Sequence, residues 1–528
     1  MKAIGLAIAG TAMLCAGSSV SADAVKSVGP SHVAAANAKP EIFYQIFMRS
    51  FRDSNGDRIG DLRGLTAKLG YLKRLKVTAI LLTPLQASPF YHNYFATDFK
   101  RVDPAFGSME DYLAFVRAAH AQGLKVYLDE EVQYVAEGHP WLDKARGNPN
   151  LPFSNYVLWN KPGNEDPEPF MNQPSWLSYS GRYIGIAMVD LRNPKVVDYF
   201  RDLFLFWTDP HGDGSLRDGV DGFRIDHMMD DLDNKHRLTD LFAHFWRPIF
   251  TAVRERNPKV RILAEQSDWG FGEDWLRRGG ADAVFAFPLR GSLTKLDKAE
   301  LIKAIRDTEA KTPLGKDQIV FIENHDTDRY MSTVNDQQRA RIGAAFNILL
   351  KGEPLIYYGQ ELGMRGKVTT SALSDAAHIP LREAFRWRKD QNAKGSAIWY
   401  RGDKPWWRGR YNRSGDGVSV EEEAQDPSSL LTWYKRLIAL RSERTEIQTG
   451  SQRILCDDST GMVCILRQEG ASRTLLIVNL GHRVDSPSLP ADVVSGRWSD
   501  LLTGSQIRLG ELTIAPNEVR IVGTPIRR

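Results

Sequence analysis

The 528-residue chain is 42% hydrophobic and 25% charged, the balance of a soluble globular protein with a large core and one or two smaller domains. Its net charge of +4 (pI ≈ 8.7) is mild and its basic residues are scattered, which argues against nucleic acid as a partner. The chain begins with a processing signal: Lys2, an uncharged apolar run from Ala3 to Ala16, then the small residues of Val20-Ser21-Ala22. Residues 1–22 therefore read as a signal peptide cleaved before Asp23, and the mature protein as exported, periplasmic or extracellular. The apolar run is too short to span a bilayer stably and no later stretch reaches that length, so no membrane span is expected after cleavage. Residues 23–40, rich in Ala, Ser and Val without periodicity, read as a flexible lead-in.

From residue 41 to about 446, short apolar runs alternate with helical patterns. The strand candidates are Ile42–Phe47, Ala79–Leu82, Lys125–Leu128, Val220–Ile225, Arg261–Ala264, Ala283–Phe287, Ile319–Ile322 and Leu355–Tyr358. Between them fall helical stretches such as Met109–Ala121, Val196–Trp207, Arg237–Arg256, Leu293–Thr308 and Gln337–Leu350. This alternation predicts an α/β fold, a (β/α)8 TIM barrel built from segments 41–132 and 191–446. The loop after the first strand, Asp53-Ser54-Asn55-Gly56-Asp57-Arg58-Ile59-Gly60-Asp61, sets oxygen-bearing side chains at alternate positions. Such spacing lets a tight loop wrap a structural calcium ion through Asp53, Asn55, Asp57, Asp61 and the Ile59 carbonyl. The other reading is a polar turn held by its own side chains.

One interval breaks the rhythm: residues 133–190 are rich in Pro, Asn, Trp and Tyr, and so long a loop in a compact domain is usually functional. After the eighth strand, an irregular stretch carries Trp399, Trp406 and Trp407, which either line the outer part of a binding cleft or anchor the loop. Residues 447–528 shift to short β runs with turns, a C-terminal antiparallel β-sandwich. There Cys456 and Cys464 flank a turn-like cluster; they read as a disulfide across a hairpin, or as two free buried thiols.

The chemistry concentrates at three strand ends. Gly219-Val220-Asp221-Gly222-Phe223-Arg224-Ile225-Asp226-His227 places Arg224 and Asp226 on one side of a strand, since side chains at i and i+2 share a face. A guanidinium beside Asp226 keeps it ionised, as a nucleophile requires. Ile262-Leu263-Ala264-Glu265 ends in a carboxylate after an apolar run, where desolvation favours the protonated form of a general acid. Phe321-Ile322-Glu323-Asn324-His325-Asp326 supplies a third carboxylate. One ionised and one protonated carboxyl is the pairing that glycosidic cleavage uses.

These three segments, in this order, resemble the α-amylase family of retaining glycoside hydrolases, and the chain is similar to that family over nearly its whole mature length. The resemblance implies Asp226 as nucleophile, Glu265 as general acid/base and Asp326 as stabiliser of the transition state. It implies substrate-binding roles for Tyr94, Asp129, Tyr134, Arg224, His227 and His325, with Tyr94 stacking under the cleaved sugar and Asp129 supporting the rim near Arg224. A small inserted domain over residues 133–190, calcium in the Asp53–Asp61 loop, an α-glucan or maltooligosaccharide substrate and a monomer are expected with it. Two departures stand out. Gln133 and Tyr134 occupy the positions of the family's Asn-His pair, which puts a second calcium site in doubt. Asp230 lies where many members carry Lys-His past the cleavage point. A transglycosylase, or a hydrolase of cyclic or branched α-glucans, therefore remains the alternative. A non-catalytic sugar-binding scaffold is disfavoured because Arg224, Asp226, Glu265, His325 and Asp326 are all present.

Overall fold

A computed structural model describes residues 39–369, 374–400, 411–456 and 461–525. The signal peptide, most of the lead-in, and Trp406 and Trp407 lie outside the described residues. Eight parallel strands close into a barrel: β1 (Phe43–Ile46), β2 (Ala79–Leu82), β3 (Lys125–Glu130), β4 (Gly222–Met228), β5 (Arg261–Gln266), β6 (Ala283–Phe285), β7 (Asp317–Val320) and β8 (Glu353–Tyr357). Each pairs with its neighbours in chain order and β8 returns to β1, with Phe43 opposite both Leu355 and Ala79.

Alternation along the strands sorts the core into two layers. Phe43, Leu81, Tyr127, Leu263, Phe285, Ile319 and Leu355 fill the barrel interior. Tyr44, Ile46, Ile80, Leu82, Val126, Ile262 and Val320 belong to the core between strands and helices. The packed interior makes the barrel a scaffold rather than a pore and leaves the C-terminal strand ends to carry the site.

Some elements differ from the sequence pattern, and capping explains where. β6 stops at Phe285, because Phe287–Lys295 starts a helix with Pro near its first turn. That helix ends at Leu296, in the left-handed conformation (φ 54°), and Asp297 caps Lys298–Lys311 by accepting the Glu300 N–H at 2.9 Å. The single helix expected over Leu293–Thr308 is therefore two. β7 leaves the ladder at Val320, and the next residues form a turn pinned by Asn324, whose Oδ1 accepts the Asp326 N–H at 3.0 Å.

Within 133–190, Tyr134–Ala136 pairs antiparallel with Ile186–Met188, and further two-stranded ribbons carry Trp159–Lys161 and Trp176–Leu177. Beyond residue 450, six strands form one antiparallel sheet, centred on Met462–Glu469 and Ser472–Asn479. Val463, Ile465, Leu476 and Val478 join the main core. Met462, Cys464, Leu466, Leu475 and Ile477 face a second core with Trp498 and Ile514. Cys456 and Cys464 are joined by a disulfide. Among the described residues no helix is long and apolar enough to cross a membrane.

Candidate active site

The site is assembled around one buried cation. Arg224 on β4 lies level with Asp129 of β3 and Leu263 of β5. Its Nη1 donates to Asp129 Oδ1 and to Asp226 Oδ1, both at 2.6 Å, and its Nη2 donates to Glu265 Oε2 at 2.5 Å. Three strand ends that are 41 and 95 residues apart from Arg224 or share its strand thus meet on one guanidinium. Arg224, Asp129 and Glu265 are each at most 1% exposed. A charge that deep is tolerated only when paired and hydrogen-bonded, and here each carboxylate shares the same fork.

The opposite wall comes from β7 and the loop after β2. The Tyr94 hydroxyl donates to Asp129 Oδ2 at 2.7 Å and lies 2.7 Å from His325 Nε2, while its ring stacks on His325 at 5.4 Å and 10°. Asp326, the most open of the three acids at 26% side-chain exposure, pairs with Arg382 Nη2 at 2.8 Å and His325 Nε2 at 2.8 Å. Arg382 also donates to the His325 carbonyl and to the Tyr91 hydroxyl. His227 Nδ1 lies 3.3 Å from Asp226 Oδ2, and its side chain remains 43% exposed, facing the cleft.

These contacts push the carboxyls apart in acidity. Burial raises Asp226, but the charges of His227 and Arg224 overcome it and hold the carboxyl well below the usual range. Burial raises Glu265; Arg224 and His227 offset part of this, and the Asp226 and Asp326 charges add to it. Asp129 is lifted to about 6 by burial, against the pull of Arg224. One carboxylate is kept ionised next to one that favours its proton, which is the division of labour between nucleophile and acid.

Tyr134 opens the first ribbon of the 133–190 segment and packs edge-on against Phe95 and Phe170 at 6.1 and 4.7 Å between centroids. Asp230 is occupied structurally: it accepts the Phe242 N–H at 2.8 Å and pairs with Arg278. Trp399 stacks on Tyr91 at 4.7 Å and donates to Ser50 Oγ, which anchors its loop.

The residues 53–61 lie elsewhere, after β1. Asp53 accepts the N–H groups of Asn55, Gly56 and Arg58, Asp57 accepts that of Ile59, and Asp61 accepts those of Ser54 and Gly64. Among the described residues none of these three carboxylates forms a salt bridge, and the donors are all oxygen, a set that suits a hard cation. Their ligand atoms are not gathered within 4.8 Å of one another; the cluster so gathered among the described residues is Glu131, Asp226 and His227.

Sequence reasoning missed Arg382, Tyr91 and Glu131 as members of the site. Glu131 carried a legible signal, a second acid two positions after Asp129. Arg382 and Tyr91 did not, because distant loops bring them in.

Residues 45–450 match the family described as alpha amylase, catalytic domain. Alpha-amylase 3 of Dictyoglomus thermophilum is 28% identical over 466 residues, 85% of this chain and 86% of the relative. A 4-alpha-glucanotransferase of Thermotoga maritima is 29% identical over 447 residues, covering 80% of this chain and 92% of the relative. Among solved structures, the alpha-amylase from H. orenii superposes with a TM-score of 0.74 at 27% identity, covering 93% of this chain and 100% of that one.

Proposed function

The chain belongs to the α-amylase family of α-glucan hydrolases and transglycosylases, and from that premise we propose that it is an exported, retaining hydrolase of α-1,4-glucosidic bonds. Asp226 attacks the anomeric carbon while Glu265 protonates the departing glycosidic oxygen. Glu265 then removes the proton of an incoming water, which displaces Asp226 and restores the original anomer. Asp326 accepts hydrogen bonds from the hydroxyls of the sugar being cleaved, and His325 and Tyr94 shape the floor beneath that sugar. The observation that supports this reading is the Arg224 fork, which holds Asp226 on one terminal nitrogen and Glu265 on the other.

The test is a product time course on soluble starch, pullulan, a cyclodextrin and maltotetraose, with the anomer followed. Short α-anomeric products from starch are the expected result. Inactivity on starch, with longer or rearranged sugars from maltotetraose, would replace hydrolysis by transglycosylation, which uses the same intermediate with a sugar acceptor. The Thermotoga relative and the departures at Tyr134 and Asp230 support keeping that second reading.

Export is proposed from the Lys2 to Ala22 pattern alone; processing before Asp23 is checked by the mass of the secreted protein. Calcium is proposed for the loop after β1, held by Asp53, Asn55, Asp57, Asp61 and the Ile59 carbonyl, where it would fasten the loop and supply no chemistry. Calcium at a hundred times its dissociation constant is then expected to stabilise the protein by about 2.7 kcal/mol. Calorimetry should show a rise in Tm that Asp53→Ala removes; an unchanged Tm in the wild type would rule the ion out.

A further inference from the structure

The loops on one side of the cleft are stitched together. The inserted segment follows β3, yet its residues 176–179 reach the loop after β8, where Leu177 and Ser374 form a parallel β-bridge. The barrel order places β2 and β1 between β3 and β8, so this contact crosses over the ends of two strands. Tyr91, from the loop after β2, donates its hydroxyl to the Asp375 carbonyl at 3.0 Å. The Tyr179 ring packs edge-on against Tyr91 at 5.4 Å and against Trp399 at 5.8 Å. Ser50, just past β1, accepts from Trp399 and donates to the Arg382 carbonyl at 2.5 Å. Segments after β1, β2, β3 and β8 thus make one wall. Aromatic pairs of this geometry contribute about 0.5–1.5 kcal/mol each beyond their burial, so the wall is a packed element.

The wall stands directly behind Asp326. Arg382 Nη2 pairs with Asp326 Oδ1 at 2.8 Å, and Nη1 of the same guanidinium donates to the Tyr91 hydroxyl at 2.8 Å. One planar group therefore spans from the acid that meets the cleaved sugar to the wall, which leaves no length for a second ring. Glu265 sits on β5, across the barrel from β1. The open edge is on that side. There the β4–β5 register shifts between Ile225 and Met228, and His227 takes φ 40°. This bulge sets the imidazole beside Asp226 with 43% of the side chain exposed.

We infer that the cleft is a blind pocket, one sugar deep, so that the enzyme works from the non-reducing end of an α-glucan and releases one glucose at a time. This deepens the hydrolase reading and rests on it. When Asp226 attacks, the anomeric carbon faces Glu265, and the rest of the chain leaves toward β5 with the proton that Glu265 gives it. Water then displaces Asp226, supplies the hydroxyl of the free glucose and returns the proton to Glu265. The far side of the same ring carries the 4-hydroxyl and faces the wall. A glucan continuing through that oxygen would have to pass through Tyr91, Tyr179 and the backbone at Asp375. Only a ring whose 4-hydroxyl is free fits.

The experiment follows first products on the purified full chain, using p-nitrophenyl α-maltotetraoside and the same compound with its non-reducing end blocked as a 4,6-O-ethylidene acetal. The expected first products from the free compound are glucose and p-nitrophenyl α-maltotrioside. The blocked compound should be cleaved roughly a hundredfold more slowly in kcat/KM, because its end no longer fits the pocket. Maltose or maltotriose among the first products, or equal rates on the two compounds, overturns the inference. The wild-type pattern decides this without any variant. Inactivity on both compounds would instead overturn the hydrolase reading on which it rests. Tyr179→Ala removes the ring that closes the wall and should raise cleavage of the blocked compound about tenfold or more. A blocked compound that stays resistant in this variant, with its thermal unfolding unchanged, overturns the wall as the cause.

Discussion

Asp226→Asn is expected to lower kcat on maltooligosaccharides on the order of 10⁵-fold while substrate binding persists, as removal of a covalent nucleophile does elsewhere. The amide has the same shape and still accepts from Arg224 at Oδ1, so the fold and the cleft survive. What is lost is the anion that attacks in the proposed mechanism. The wild-type carboxyl is held far below its ordinary value by His227 and Arg224, so it remains ionised until the pH falls well under the normal carboxylate range. The acid limb of the wild-type pH profile should therefore lie low. Isothermal titration with maltotetraose gives the binding side, and a variant that keeps more than about a hundredth of wild-type kcat would remove Asp226 from the role.

Glu265→Gln is expected to cost about 10² to 10⁴-fold on natural substrates, the usual worth of a positioned general acid/base. The amide cannot release a proton to the departing oxygen. A substrate with an activated aryl leaving group needs no such proton, so its first step should be nearly spared, and a burst followed by slow turnover should appear. The pH sign follows from the direction of the shift. Burial raises Glu265, so the protonated acid persists above the ordinary glutamate range and is lost as pH rises through the raised value. The alkaline limb of kcat/KM belongs to this group and should vanish in Glu265→Gln. An alkaline limb that stays in place would assign it to another residue.

Much of the site was legible because its parts are local. Arg224 and Asp226 stand two apart on a strand, and that alone puts a guanidinium against a carboxylate. Glu265 ends an apolar strand, and its burial and its hold on the proton follow from that. The eight apolar runs were visible as a barrel because alternating strands and helices have few other ways to close. Helix ends were less legible: Leu296 in a left-handed conformation splits a helix whose apolar pattern runs on without a break.

The role of His227 shows the limit most clearly. Alternation along β4 predicts that it faces away from Asp226, and only the bulge reverses that. Arg382 and Tyr91, 291 residues apart, meet at Asp326 through loops whose paths no short pattern encodes. Sequence by itself determined the barrel, the order of the three acids and the Arg224–Asp226 pair, since hydrophobic period and side-chain alternation act over a few residues. Tertiary structure decided which acids share Arg224, which way His227 turns and where Glu131 stands. Those depend on strand register and on backbone strain held by distant packing, and neither is written in any one segment.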